Sequence, residues 1–284
     1  MTTPLRVARH VWTHPSNRGR RVAAMRGAIA WQMKKRLGRS TVISVGRDIR
    51  LKVWPDSTFG SGVIYASGRP DPDDLAFIEQ WVRPGDSVVD GGSNIGYYTV
   101  RMAELVGAAG HVHAVEADER NAARTMEQVE INGASDTVTI HQVALGDHEG
   151  ETFLDGSDAI ARLARPEKFV GRPVSLRTLD ALFANTPLRF VKLDLEGAEG
   201  MALTGASGML AAANPPVWQL EMNNRLRDYG WTQETLASLL RDYGFTLCLY
   251  DADEGALTRL DEPWRVRPNV LAVHPESTRE ELAL

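Results

Sequence analysis

The chain has one cysteine in 284 residues, Cys248, which excludes an internal disulfide framework and a cysteine-rich zinc site. Cys248 lies in the apolar run Leu247–Tyr250, the setting of a buried, inert thiol. No stretch approaches the roughly 20 uninterrupted apolar residues that span a bilayer. The Arg-rich N-terminus has no apolar core followed by a small-residue cleavage site, so a cytoplasmic location is expected. Acidic residues are missing from positions 1–40, which hold ten of the 32 Lys and Arg; the other 22 face 37 acidic residues in the remainder. So acidic a body cannot neutralise the phosphates of a long nucleic acid, and no nucleic-acid partner is expected. Repeats and low-complexity tracts are absent too. What is there, 43% hydrophobic and 24% charged residues, suits one large soluble domain with a short appendage.

Residues 1–40 read as a basic arm. Met25, Ile29, Met33 and Leu37 recur every four positions among Arg26, Lys34, Lys35 and Arg36, which fits one face of a helix. The first expectation is a helix docked by that apolar face; the alternative is peripheral contact with acidic lipid headgroups, which would make the protein membrane-associated. Residues 41–66 read as short strands with turns at Gly46-Arg47-Asp48 and Phe59–Gly62, followed by a helix over Asp73–Val82. Strands are predicted at Ser87–Asp90, His111–Glu116, Thr137–Val143, Phe190–Leu195, Val217–Glu221, Thr246–Tyr250 and Asn269–Val273. Between them the pattern predicts helices over Tyr97–Val106, Arg120–Asn132, Met201–Leu210 and Gln233–Tyr243. This alternation makes an α/β doubly wound, mostly parallel sheet, whose ligands bind at the carboxyl ends of the strands.

The first of these core strands ends in Asp90-Gly91-Gly92-Ser93-Asn94-Ile95-Gly96 and passes into a helix; the second ends at Glu116, twenty residues past Gly96. Glycines let the backbone turn sharply, and a carboxylate at the second strand tip suits the two hydroxyls of a ribose. A dinucleotide fingerprint needs glycine at the first, third and sixth positions; from Gly91 the third is Ser93, and from Gly92 it is Asn94. Asp90 would also repel a pyrophosphate. S-adenosylmethionine (SAM) has no phosphate and carries an ammonium, so the pattern favours SAM over a nicotinamide dinucleotide. The third strand ends in Ala144-Leu145-Gly146-Asp147, where Asp147 can accept from the exocyclic amine of adenine, or stand as a plain turn carboxylate.

The residues Asp90–Gly96, Ala144–Asp147, Thr178-Leu179-Asp180 and Lys192-Leu193-Asp194-Leu195-Glu196-Gly197-Ala198-Glu199, with a strand ending at Glu221, resemble the FkbM family of SAM-dependent methyltransferases. The resemblance covers roughly residues 42–273. Three features depart from the usual pattern: Ser93 stands in place of alanine, Glu116-Ala117-Asp118 lacks the proline after the glutamate, and Gly68-Arg69-Pro70-Asp71 is atypical. The resemblance implies a Rossmann-like class I methyltransferase sheet and O-methyl transfer to a hydroxyl of a sugar, glycolipid or polyketide-type acceptor. It divides the chain into the arm, 1–40, and a methyltransferase domain, 41–284, with N-terminal strands and helix at 41–82 and a catalytic core at 83–275. The SAM-binding set is then Asp90, Gly91, Gly92, Ser93, Asn94, Gly96, Glu116, Ala117, Ala144, Leu145, Asp147 and Asp194.

Methyl transfer to oxygen is an in-line displacement that needs alignment and removal of a hydroxyl proton. Asp194, Glu196 and Glu199 follow the fourth strand, Glu221 ends its neighbour, and these carboxylates are the catalytic candidates together with Lys192. Lys192 either neutralises the cluster or serves as a structural ion pair. Mg²⁺ on Asp194 and Glu221 is an alternative without a dedicated motif and is not favoured. His148 is a further candidate base; His111 and His113, alternating on a strand, read as structural. Asn214-Pro215-Pro216-Val217 resembles the loop of amino-methylating enzymes, but precedes the fifth strand and lacks its aromatic, so it reads as a turn. Residues 155–172 lack periodicity and are expected to form a lid presenting Arg162, Arg165 and Arg172 to the acceptor. Nucleic-acid methyl transfer and a silent SAM-binding scaffold remain the other readings.

Overall fold

The structure is a computed structural model describing residues 4–14, 17–45, 48–57, 69, 71–156, 162–163 and 171–277. Two helices, α1 (Pro4–Thr13) and α2 (Arg21–Arg36), lead into a hairpin of β1 (Thr41–Val45) and β2 (Ile49–Val53). After α3 (Pro72–Trp81) come β3 (Ser87–Gly91), α4 (Tyr97–Val106), β4 (His111–Val115), α5 (Glu119–Ile131) and β5 (Val138–His141). Next stand β6 (Ala144–Leu145), β7 (Gly150–Asp155), β8 (Arg162–Leu163), β9 (Arg172–Arg177) and α6 (Leu179–Phe183). The second half holds β10 (Leu188–Leu193), α7 (Glu199–Thr204), α8 (Ser207–Leu210), β11 (Val217–Glu221), α9 (Gln233–Asp242), β12 (Thr246–Asp251), β13 (Ala256–Arg259) and β14 (Asn269–Val273).

The main sheet runs β13-β12-β14-β11-β10-β3-β4-β5. β5, β4, β3, β10 and β11 are parallel, whereas β14 is antiparallel to both β11 and β12. Alternation of side chains divides the core. Val88, Phe190 and Val217 face α3, α4 and the hairpin, where Phe77 and Trp81 stack with ring centres 6.0 Å apart. Val89, Val191, Trp218 and Leu220 face α6 to α9. Buried on both faces, the central strands read as continuous apolar runs, which is why they are legible from sequence.

A second sheet, β6-β9-β7-β8, corrects two expectations. Ala144 and Leu145 do not continue the third strand: they leave the main sheet and pair with Leu176 and Arg177. Residues 150–155 and 172–177 are strands, paired antiparallel, where no regular structure was predicted. The expected helix over Met201–Leu210 is broken between α7 and α8 at Gly205, a position where a side chain would overlap the Gly146 carbonyl.

The arm corrects a third expectation. In α2 the buried residues are Ala24 and Trp31, while Ile29, Met33 and Leu37 of the predicted docking face are exposed. Trp31 packs with Val45, Ile49 and Leu51, and this contact with the hairpin sets the face that turns inward. No helix among the described residues is long and apolar enough to cross a membrane.

Candidate active site

The glycine loop after β3 is folded by packing against the next strand. The Gly92 and Ser93 amides both donate to the Val115 carbonyl, at 2.9 and 3.0 Å, and the Asp194 amide donates to the Gly91 carbonyl at 3.0 Å. A side chain at Gly91 would collide with Leu193. One at Gly92, where φ is +77°, would overlap the Asp194 carbonyl. These glycines are therefore required by the close approach of β3 and β10, in addition to any ligand. Gly92→Ala is expected to lose at least about 2 kcal/mol of stability in urea melts, since both overlap and a left-handed backbone oppose the methyl group. Unchanged stability would mean that the turn is wrongly placed.

Asn94 and Glu196 are the two non-glycine residues with positive φ among the described residues, +52° and +56°, and they sit in the turns after β3 and β10. Left-handed backbone at such residues costs energy and gathers at functional turns. Asn94 is held there from two sides. Its amide donates to Glu116 Oε2 at 2.8 Å, and its carbonyl accepts from Thr125 Oγ1 at 2.8 Å. Glu116 Oε1 accepts from the Asp118 amide, also at 2.8 Å. Burial pushes the Glu116 carboxyl up to about 7, despite those two amide donors.

The residues present fit SAM. The buried Asp90 Oδ1, Ser93 Oγ and Asn94 Oδ1 have no protein hydrogen-bond partner. Glu116 is fixed by backbone amides with acceptor capacity left for two ribose hydroxyls. Asp90 lies fully buried beneath the loop, accepting from Thr99 Oγ1 at 2.6 Å, so its charge acts on the site from below. Ala117 packs against the cluster containing Ala144, Leu176 and Ala198. Asp147 is exposed and paired with His148 Nδ1 at 2.6 Å, which places both side chains on the surface after β6.

Register assembles the acidic centre. Asp90, Lys192 and Gln219 are Cα partners across β3, β10 and β11, so they form one polar row on the α3–α4 side. Lys192 Nζ lies 3.1 Å from Asp194 Oδ2 and 4.7 Å from the Tyr98 ring centre. Burial alone would lower the lysine pKa, but Asp194 and Asp90 outweigh it and raise it. Burial raises Asp90 as well, against the Lys192 charge. Glu221, its Oε2 unpartnered, is pushed by burial and then by Asp194 up to about 7.

The other two carboxylates of the run do different work. Glu199 is fully buried, and its Oε1 accepts from the Leu195 amide at 2.7 Å and the Gly197 amide at 3.4 Å, tying the turn that carries Asp194. Burial pushes Glu199 up to about 8. Glu196 is ion-paired with Arg225.

Sequence reading missed Asp71, Asp74, Tyr98 and Gln219. Asp71 stands at the N-cap of α3 yet makes no capping bond; it accepts instead from Tyr98 Oη at 2.9 Å. A cap worth about 1 kcal/mol is forgone there, which points to a role in the site. Its carboxyl is raised by burial, against Tyr98 and Lys192. Burial also pushes Asp74 up to about 7, although it accepts from Asn269. The signal available was an aspartate immediately before Pro72 with no capping need fulfilled elsewhere. Both amide atoms of the buried Gln219 lack partners.

Arg172 is not turned to an acceptor: it pairs with the buried Asp118 carboxylate and donates to the Gly156 carbonyl at 3.2 Å. A buried carboxylate needs a cation, and Arg172 supplies it. The Arg162 side chain and all of Arg165 lie outside the described residues, as do 157–161 and 164–170. Among the described residues no three His, Cys, Asp or Glu side chains gather as a metal ion would require. His111, His113 and His141 form a row of tilted ring contacts, the latter two also touching Phe183, and burial pushes His113 down to about 4. Asn214–Val217 form the turn into β11, with Pro215 accepting from Ser277 Oγ at 2.6 Å.

The parallel order β5-β4-β3-β10-β11, the reversed β14 inserted before β12, and acidic tips on β3 and β4 define a Rossmann-like class I methyltransferase fold. The methyltransferase FkbM domain matches residues 90–247, more than half of the chain, and the chain belongs to that family. Over 95 residues it is 36% identical to the tRNA wybutosine-synthesizing protein 2 homolog of Danio rerio, covering 34% of this chain and 22% of that protein. Over 93 residues it is 31% identical to the ribosomal protein L11 methyltransferase of Syntrophomonas wolfei, covering 33% and 28%. The matched segments thus span about a quarter of these curated relatives. Among solved structures, methyltransferase FkbM from Methylobacillus flagellatus superposes with a TM-score of 0.44 at 15% identity, over 89% of this chain and 60% of that one.

Proposed function

We propose that the chain is a SAM-dependent O-methyltransferase whose acceptor is a hydroxyl of a small molecule or glycan. The observation that carries this reading is the unpartnered Oε2 of Glu221, beside Asp194 and Lys192 at the adjoining tips of β10 and β11. When bound, SAM supplies the methyl group as a sulfonium. Asn94 and Glu116 would hold its ribose, with Asp90 and Asp194 favouring its positive charges. Glu221 takes the hydroxyl proton at Oε2: its elevated pKa makes it a stronger base than an ordinary carboxylate, yet ionised at pH 8. Lys192 fixes Asp194 and prevents the cluster from repelling itself protonated.

The test is turnover of SAM with hydroxylated glycans against total RNA as acceptors. Production of S-adenosylhomocysteine with the glycans alone is expected. Glu221→Gln should lower kcat about 10²- to 10⁴-fold and leave S-adenosylhomocysteine affinity unchanged. Because the base must be deprotonated, kcat should rise with pH through about 7 in the wild type. Preference for RNA would favour the second reading, nucleic-acid methyl transfer, supported by the basic arm and the name of the Danio rerio relative. A folded, SAM-binding protein that turns over no acceptor would favour a scaffold.

A further inference from the structure

The face of α2 that turns away from the protein is apolar and cationic together. Val22, Ile29, Met33 and Leu37 are 60%, 58%, 62% and 67% exposed. At about 100° per residue, Val22, Ile29 and Met33 fall within about 40° of one another, and Leu37 stands beside them. Arg26 and Arg36 project from the same sector and are exposed. Trp31 and Ala24 occupy the opposite side, buried against the hairpin and α1, so this orientation is fixed by core packing. Trp12 of α1 is 46% exposed, with the Arg21 guanidinium 5.8 Å from its ring centre. Arg18, Arg20, Lys35 and Arg39 are exposed around the same helix pair.

We propose that this face is a docking surface for a bilayer leaflet rich in anionic lipid, with α2 lying in the plane of the interface. The chemistry selects that occupant. Four large apolar side chains on one helix face gain by leaving water for the acyl boundary, and the arginines between them reach the headgroup phosphates. Ten cations and no carboxylate in residues 1–40 match an anionic surface. A second copy would bring the same ten charges against them. RNA phosphates would satisfy the arginines and leave the apolar stripe in water.

The test is sedimentation of the full chain with vesicles of phosphatidylcholine, alone or mixed with phosphatidylglycerol, and it does not depend on turnover. Binding to the mixed vesicles only, weakened by added salt, is expected. The double variant Ile29→Glu, Met33→Glu should lower that binding at least about tenfold, and Arg26→Gln, Arg36→Gln several-fold. All four side chains are exposed, so circular dichroism and Tm should match the wild type. The proposal is overturned by wild-type protein that ignores the mixed vesicles or binds both kinds alike, and by variants that bind as wild type does. A dimer dissolved by the same glutamates would overturn it in favour of a second copy. Binding of total RNA that displaces the protein from vesicles, and that the glutamates leave unchanged, would overturn it in favour of nucleic acid.

Discussion

Lys192→Met is expected to cost about 3–5 kcal/mol of stability, the usual loss when one partner of a buried charge pair is removed. Methionine keeps most of the aliphatic volume over Tyr98, so the loss isolates the charge. The lysine is almost fully buried, and it is the cation that faces Asp90 and Asp194 together. Without it, the fully buried Asp90 keeps hydrogen bonds from Thr99 but faces no cation, and it stays ionised only at a high cost. The sign of the pH dependence follows. A carboxyl whose folded pKa is raised contributes most below its unfolded value and loses that contribution as pH rises through the folded one. Asp90 is already raised in the wild type and rises further in the variant. The deficit should therefore be smaller at pH 5 than at pH 8 in paired urea melts. A deficit under about 1 kcal/mol, or one independent of pH, would show that Lys192 does not sustain the cluster.

Glu116→Ala is expected to weaken S-adenosylhomocysteine binding by about 1.5–3 kcal/mol, or roughly 10- to 150-fold. Two losses combine. The ribose hydroxyls lose a charged acceptor, and the Asn94 amide loses the bond that holds its left-handed turn. The pH profile separates charge from shape. Burial raises Glu116 to about 7, so wild-type affinity should increase between pH 6 and pH 8 as the carboxylate forms. In the ligand-free protein the same shift works the other way on stability: its contribution is complete below about 4.5 and is lost as pH rises through 7. Glu116→Gln keeps the shape and removes the titration, so its affinity should be flatter across that range. Calorimetric titration at pH 6 and pH 8 reads both effects, and an unchanged affinity in the alanine variant would mean that the ribose lies elsewhere.

The sheet was legible because central parallel strands, buried on both faces, announce themselves as Val88-Val89, Phe190-Val191 and Val217-Trp218 between amphipathic helices. The short strands of the second sheet gave no such signal. Gly150–Asp155 and Arg172–Arg177 are largely exposed, polar and set by each other, and their partners lie some twenty residues away. The face of α2 was misjudged because a four-residue spacing takes no account of the hairpin, against which Trp31 on the other face packs. Of the site, the carboxylates on strand tips were readable, since Asp90, Asp194, Glu116 and Glu221 end strands whose register follows from topology. Their division of labour was not. That Glu199 closes a turn and Glu196 pairs with Arg225 depends on bonds across the fold. Asp71 and Tyr98 stand 27 residues apart on different helices, and their hydrogen bond has no local signature.

The most direct measurement is calorimetric titration of the wild-type chain with S-adenosylhomocysteine, with NADH as the comparison ligand. Micromolar binding of S-adenosylhomocysteine and no heat from NADH are the predicted results. NADH binding at comparable affinity, or a folded chain that binds neither, would contradict the cofactor on which the proposed chemistry rests.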